Sequence, residues 1–328
     1  QTSPTRAIHH YLAGELWGEA AQTIAKVGEQ LLQQGWLASL QKWIAALPPT
    51  MQQTQPQLAY LLGVCAWHQR RLAEASFFLE QALAGFEEAG ARTEPRRKTH
   101  TEQGQTLAYL SELAYLKTEF SQGLALIERA LACPIKPHTR VQLLLTRARV
   151  AFFQGHFMAG DSDVNVATQI VQQTGDLDAL YALLEGSVLG FVALPGRLDR
   201  LGQLCQFASA RVSEDNPLLQ VVLDEQRLIF HFYRGELALA LQYGLQAQGL
   251  GERLGGRPPR QYWMLHAFLL TVHLLMGHKR EVDTIIDQLL AQQNDIHIIA
   301  KAGFLFMLGR VCWLAGRLAD ARRAFERL

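Results

Sequence analysis

Two short segments carry residue types that could bind a metal ion. The segment 161–165, Asp-Ser-Asp-Val-Asn, begins like a calcium loop, but Val166 and Gln172 stand where that loop needs glycine and glutamate. It falls within the second helix of a predicted hairpin, so we interpret it as a solvated helix face. His266 and His273 lie seven residues apart and could share a helix face. Because His273 occupies a packing position, a core histidine is favoured, and we predict no metal site.

The sequence lacks the motifs of the common enzyme classes. It contains no GxxxxGK[ST] phosphate loop, no GxSxG elbow and no HExxH zinc motif. Gly249, Gly251, Gly255 and Gly256 follow a predicted helix, which favours a turn between repeats over a dinucleotide site. We therefore predict a binding protein without enzymatic activity or cofactor. An active site assembled from distant residues stays open as a third hypothesis.

The amino-acid composition limits the classes of partner that we expect this chain to bind. Lys and Arg number 31 against 30 Asp and Glu, a net charge of +1 that does not favour nucleic acid. The sequence has no polybasic run that favours binding to a membrane surface and no apolar stretch long enough to span a membrane. No signal peptide is recognisable. The four cysteines, Cys65, Cys133, Cys205 and Cys312, form no CxxC pair, which is typical of reduced, buried thiols. We expect a cytoplasmic protein that binds neither nucleic acid nor membrane.

A turn pattern, glycine-x-apolar, repeats along the chain. It begins at Gly155, Gly196, Gly235 and Gly316, and a weaker copy with Lys279 in the apolar place begins at Gly277; the glycine spacings are 41, 39, 42 and 39 residues. Arg70 and Thr118 occupy the same place without glycine. Helical periodicity precedes and follows each turn, and glycine suits the left-handed position that ends a helix. Each unit is therefore predicted to be a helix hairpin.

Small residues recur at fixed distances from these turns. Ten residues after the apolar turn residue, five of seven units have alanine: Ala82, Ala130, Ala167, Ala208 and Ala247. Small residues in the first helices include Gly63, Ser111, Ala148 and Gly309. These positions match the tetratricopeptide pattern, with a period near 40. The sequence predicts an all-α, right-handed superhelical solenoid of about seven tetratricopeptide-like hairpins over 57–328, after an N-terminal helical segment, 1–56.

The N-terminal part resembles a known family. Its markers include Ala13-Gly14, Trp17, Ala20-Ala21, Gly35, Leu40, Trp43 and Leu47-Pro48, in that order and followed by the repeats. This arrangement is similar to the start of the sensor region in MalT-like, large ATP-binding transcriptional regulators of the LuxR type. The resemblance implies an ATPase module before such a segment and a helix-turn-helix DNA-binding domain after the solenoid. Neither matches these residues, so we expect a piece of a longer protein.

The first helices of a solenoid usually line its concave surface. The twelfth position of each first helix, which lies three residues before the turn residue, is often aromatic. The fifth and ninth positions on the same count share that helix face. The predicted ligand- or partner-binding residues on it are Tyr60, Trp67, Glu112, Tyr115, Arg149, Phe152, Glu225, Phe232, Tyr233, Arg310 and Trp313. Aromatic platforms with polar groups suit a sugar, a peptide or another amphipathic effector. Alternatively, the rings fill the space between adjacent first helices.

Two binding functions follow from this pattern. The first is an effector-sensing and oligomerisation domain of a signal-responsive ATPase transcriptional regulator, as the resemblance implies. Its partner would be a small-molecule or peptide effector or a protein, with self-association through the solenoid. The alternative is a stand-alone tetratricopeptide scaffold that binds a protein or peptide partner.

Overall fold

The computed structural model describes residues 4–33, 36–69, 71–92, 97–192, 194–213, 216–254, 262–292 and 298–328. These residues form helices joined by short turns and include no strand, so the chain is an all-α helical solenoid built from hairpins. None of the described helices is long and apolar enough to cross a membrane. The chain divides into two compact units, Gln1–Leu143 and Leu144–Leu328. The predicted boundary at residue 56 lies inside the first unit.

The first unit places the N-terminal segment and the first repeats on one core. Its helices are α1 (Pro4–Ala13), α2 (Trp17–Gln33), α3 (Leu37–Ala45), α4 (Pro49–Thr54), α5 (Pro56–His68), α6 (Leu72–Arg92), α7 (Arg97–Leu116) and α8 (Phe120–Leu131), followed by the start of α9 (Pro137–Phe153). Ile8, Leu40 and Trp43 belong to the same buried cluster as Leu79 and Ile127. The N-terminal helices are thus continuous with the repeat core.

The second unit continues the hairpins. Its helices after α9 are α10 (Phe157–Thr174), α11 (Leu177–Gly186), α12 (Val188–Val192), α13 (Leu198–Ser209), α14 (Pro217–Tyr233), α15 (Leu237–Arg253), α16 (Tyr262–Leu275), α17 (Lys279–Gln292), α18 (Ile298–Leu314) and α19 (Leu318–Glu326). Separate buried clusters form around Leu228 and Leu269 and around Ile286 and Phe304. Counted from α5, the described residues contain the predicted seven hairpins.

The repeated glycines end the first helices as the sequence predicts. At Gly155, φ is +79°, its N–H donates to the carbonyl of Phe152, and the N–H of His156 donates to Ala151 at 2.8 Å. This pair of bonds is a Schellman motif, which satisfies carbonyls left open at a helix end. Gly196, Gly235, Gly277 and Gly316 also have positive φ values. The left-handed position therefore sets where each hairpin reverses.

Two turns adopt the same conformation without glycine. Thr118 has a φ of +63° and Glu15 a φ of +56°. The N–H of Glu119 donates to Ala114, and that of Leu16 to Tyr11, both at 2.9 Å. The first hairpin, α1–α2, thus reverses like the repeats, and Glu15 rather than Gly14 holds the left-handed position. Arg70, the other predicted substitute, lies outside the described residues.

Small side chains let the helices of a hairpin approach closely. The alanines Ala82, Ala130, Ala167, Ala208 and Ala247 are all fully buried. A Cβ on Gly63 would lie 2.6 Å from Cγ of Leu79, and one on Gly309 would lie 2.8 Å from Cε1 of Phe325. The predicted small positions are therefore confirmed as places of close helix contact.

Two predictions of local structure were wrong. The first helix before Gly196 is broken at Ser187, between α11 and α12, where Gly186 and Ser187 are both weak helix formers. A Cβ on Gly186 would lie 2.8 Å from Cδ1 of Leu145, so a larger residue there would require the Leu145 side chain to move. Gly249 and Gly251 lie inside α15 rather than in a turn, because helix packing overrides their low propensity. Gly255 and Gly256 lie outside the described residues.

Candidate functional site

In the first unit, the predicted aromatic residues pack between neighbouring first helices. Tyr60 and Trp67 on α5 are buried, and each ring lies 6.2 Å from the ring of Tyr109 on α7, edge to face. Burial raises the pKa of the Tyr60 hydroxyl well above its ordinary value, and the nearby Tyr109 adds to that rise. Both rings therefore help to join α5 to α7.

In the second unit, the same arrangement recurs. Phe232 on α14 meets Phe268 on α16 with ring centroids 5.3 Å apart, and Tyr233 lies 6.2 Å from the same ring. Burial raises the pKa of Tyr233, and the positive charge of Arg310 opposes that rise, so α18 lies nearby. Tyr233 is nevertheless 49% exposed. Phe232 joins two first helices, while Tyr233 reaches the surface.

The other predicted residues lie in several environments. Tyr115 is buried with its ring 6.0 Å from Phe120, and Phe152 lies 6.4 Å from Phe157. Arg149 donates to Oγ1 of Thr146 at 2.8 Å. Glu112 is half-buried, Glu225 is buried, and Arg310 is exposed together with Trp313, which is 61% exposed. The binding role of this set stays a prediction.

Sequence reasoning missed the partners of these rings. Tyr109 and Phe268 each stand nine residues before the left-handed turn residue of their unit. This is the sixth position of the first helix on the count that puts the twelfth position three residues before the turn residue. The twelfth position of one first helix therefore meets the sixth position of the next. The recurrence of an aromatic residue at that sixth position was the signal that could have revealed the contact.

A cleft with both polar and apolar surface lies between the second helices of two consecutive hairpins. Its volume is about 370 Å³, and α10, α12 and α13 line it. The lining residues are Asn165, Thr168, Gln169, Gln172, Phe191, Arg200, Gln203 and Leu204. The four on α10 follow the i, i+3, i+4, i+7 spacing of one helix face. Phe191 and Leu204 are buried, so the cleft has an apolar floor and polar walls.

Ion pairs hold the wall formed by α10. Asp163 accepts two hydrogen bonds from Arg147, at 2.8 and 2.7 Å, and Asp161 pairs with Arg197 at 2.6 Å. Both carboxylates are buried. The prediction of a solvated face for 161–165 was therefore wrong for Asp161 and Asp163, because arginines from α9 and the turn before α13 cover them. Arg200 lies 3.6 Å from Asp161 and donates to Oδ1 of Asn165.

Two histidines lie side by side at the turn between α16 and α17. Nδ1 of His273 lies 3.0 Å from Nδ1 of His278, and burial is the first cause of the lowered pKa of His273. The described residues contain no group of three or more His, Cys, Asp or Glu side chains that could hold a metal ion. Cys65, Cys205 and Cys312 are buried free thiols, but Cys133 is only half-buried, contrary to the prediction for all four.

The chemistry of the cleft is that of binding. Asn165, Gln169, Gln172 and Gln203 carry primary amides, which both donate and accept hydrogen bonds. Arg200 adds a positive charge. None of the eight lining side chains is a carboxylate, histidine or thiol that could act as a general base or a nucleophile. The cleft is thus suited to hold a polar ligand.

Comparisons with known proteins show a weak similarity to other helical repeats. No protein-family model matches the chain, and no curated protein sequence matches it. The C-terminal part of a tetratricopeptide-repeat protein from Cytophaga hutchinsonii aligns with 88% of this chain and 94% of its own, at 12% identity and a TM-score of 0.34. A circular tandem repeat protein aligns with 98% of this chain and 92% of its own, at 13% identity and a TM-score of 0.20. Both similarities are too weak to transfer a function.

Proposed function

We propose that this chain is a scaffold that binds a protein partner by holding an extended peptide segment in the cleft between α10 and α13. The observation that supports this is the composition of the cleft, where six of eight lining residues are polar and four are primary amides. The lining combines apolar surface with these amides, which fits both the side chains and the backbone of an extended peptide segment. Amide side chains can pair with its N–H and C=O groups whatever the peptide sequence.

The length of the cleft fits a short stretch of peptide. From Asn165 to Gln172, α10 advances by about 10 Å, at roughly 1.5 Å per residue. An extended chain covers that distance with about three residues, at roughly 3.3 Å each. Gln203 on α13 faces the same cleft from the other wall. The bound segment would therefore contact amides on both sides over about three residues.

The affinity of the chain for each peptide of an array of immobilised hexapeptides, measured over a range of protein concentrations, tests this proposal. Replacing Gln169 and Gln172 together by alanine is expected to weaken binding by on the order of 10-fold or more, since each lost bond is worth about 1 kcal/mol. Gln246→Ala is the matched control, because Gln246 is an exposed amide on α15, outside the cleft. An array in which no hexapeptide distinguishes the double variant from the control would contradict the proposal.

The predicted first-helix residues remain a second candidate surface. Tyr233, Arg310 and Trp313 combine two exposed rings with a cation, a set that suits an amphipathic ligand. The same array separates the two surfaces. Peptides that lose affinity for Trp313→Ala but not for the glutamine double variant would assign binding to the first helices.

We also propose the more specific function that the resemblance implies, which is a sensor domain within an ATP-binding transcriptional regulator. Its support is the order of markers in 13–48, a stretch that includes α2, α3 and the turns around them. In that context, the scaffold would sense an effector for an ATPase. The gene that encodes this chain supplies the test. A phosphate-loop motif in the reading frame upstream of residue 1 is expected, and an upstream frame without one would remove this context.

A further inference from the structure

Arg200 is the one charged side chain among the eight that line the cleft. Its side chain is 39% exposed, against 27% for Arg197 and 28% for Arg147. All three arginines belong to the network around Asp161 and Asp163. Arg200 is therefore the member of that network that a ligand in the cleft can reach.

The two buried carboxylates are matched by the other two arginines. Arg147 holds both oxygens of Asp163, the fork geometry in which a guanidinium binds a carboxylate best. Asp161 has its short contact, 2.6 Å, with Arg197, while Arg200 stays 3.6 Å from its other oxygen. Arg200, by contrast, makes its short hydrogen bond to a neutral amide oxygen rather than to a carboxylate, and it does so at the cleft.

The hydrogen bond that Arg200 makes inside the cleft is one that a ligand can replace. Arg200 donates to the amide oxygen of Asn165, a neutral acceptor that also lines the cleft. A hydrogen bond to an ionised acceptor is shorter and roughly twice as strong as one to a neutral acceptor. A carboxylate that entered the cleft would therefore displace Asn165 from the guanidinium. The amide oxygen of Asn165 would then be released to accept a hydrogen bond from a backbone N–H of the peptide, while its NH2 group keeps its bond to Asp161.

We propose that the cleft selects an acidic peptide, with a glutamate or aspartate side chain of the bound segment received by Arg200. This inference rests on the proposed peptide-binding function and adds its specificity. The amide-bearing side chains bind the backbone of any extended segment, and Arg200 chooses among segments by charge. Because the guanidinium of Arg200 is partly exposed, its attraction for the peptide is screened by salt.

The experiment uses triplets of fluorescent hexapeptides that differ at one position, which is Glu, Gln or Lys. Fluorescence polarisation gives the affinity of the full chain at low and high salt. In the parent, the Glu peptide is expected to bind about 10-fold more tightly than the Gln peptide and more tightly still than the Lys peptide. The difference is expected to shrink at high salt.

Arg200→Gln is expected to abolish the preference for Glu, so that the Glu and Gln peptides bind this variant with equal affinity. Arg253→Gln, which removes the same charge from an exposed site on α15, is expected to keep the preference. If Arg200→Gln fails to fold, Arg200→Lys is the substitute. It keeps the positive charge but lacks the planar guanidinium that binds a carboxylate through two nitrogens, so it is expected to reduce the preference for Glu only in part.

The possible results separate this inference from the proposed function. Equal affinity for the Glu and Gln peptides in the parent, with both bound, overturns the acidic specificity and leaves peptide binding intact. A Glu preference that survives in Arg200→Gln, or one that Arg253→Gln removes equally, overturns the role of Arg200. Absence of binding by every peptide overturns the proposed function and this inference together.

Discussion

The side chain of Arg197 reaches back from the turn before α13 to Asp161 on α10, with 2.6 Å between Nη2 and Oδ2. Arg197 directly follows a turn glycine, and the same relation recurs where Arg317, after Gly316, lies 3.8 Å from Asp283 on α17. In both cases, the residue after the turn binds the second helix of the preceding hairpin. The turn that reverses one hairpin thus also fixes it to its neighbour.

Removing this arginine should destabilise the second unit. Arg197→Met leaves the buried carboxylate of Asp161 with the longer contact to Arg200 and a 3.4 Å hydrogen bond from Asn165, so we expect the free energy of unfolding to fall by about 1 to 3 kcal/mol. Arg71→Met is the matched control at the same turn position, where the pair with Glu74 is exposed. Its cost should be about 0 to 1 kcal/mol. Urea unfolding measures both, and equal losses would contradict the argument.

The left-handed turn positions make a second prediction. The positive φ of Thr118 strains its backbone, because a residue with a Cβ disfavours this conformation. Thr118→Gly should therefore stabilise the protein by about 0.5 to 1 kcal/mol, even though glycine gives the unfolded chain more conformational freedom. Gly235→Ala places a side chain in the same conformation and should cost about 1 kcal/mol.

Gly249→Ala provides the control for these turn variants. Gly249 lies inside α15 with open space around its Cβ position, so alanine should stabilise by about 0.5 to 1 kcal/mol there. Thermal melting followed by circular dichroism ranks all three variants. If alanine raised the melting temperature at Gly235 as much as at Gly249, the turn would not require the left-handed conformation.

Much of the fold could be predicted from the sequence because its signals are local. A glycine at a helix end and an alanine at a close contact are each required by their own unit, so their spacing reveals the hairpins. Gly186, beside the break at Ser187, packs against Leu145 of another hairpin, and the sequence pattern does not show this contact. The cleft forms between α10 and α13 and depends on the packing of two hairpins. Local periodicity therefore reveals the repeat but not the space between repeats.

The contact between Phe232 and Phe268 tests whether the predicted aromatic set is packing. Edge-to-face rings are worth about 0.5 to 1.5 kcal/mol beyond the area they bury. In a double-mutant cycle, Phe232→Leu and Phe268→Leu should therefore show a coupling energy in that range. Trp313→Leu combined with Phe268→Leu is the control pair, and additive effects are expected there. A coupling near zero between Phe232 and Phe268 would show that the ring contact does not contribute.

The buried carboxyl of Glu225 predicts a pH dependence. Burial first, and the nearby charge of Glu185 second, raise the pKa of Glu225 well above its ordinary value of 4.5, and its Oε1 has no hydrogen-bond partner. A raised pKa means that the folded state holds a proton that the unfolded state releases above pH 4.5. The contribution of Glu225 to stability is therefore fully present below pH 4.5 and is lost as the pH rises through its folded pKa.

Glu225→Gln removes this proton linkage at nearly constant shape. The variant should be more stable than the parent at pH 7, and the difference should shrink as the pH falls toward 4.5, by at most about 1.4 kcal/mol per pH unit. Glu19→Gln, which changes an exposed carboxylate on α2, should reproduce the pH profile of the parent. Urea unfolding between pH 4.5 and 8 measures the three proteins. A constant difference across that range would mean that Glu225 holds no extra proton in the folded state, and that another buried group sets the pH dependence of this chain.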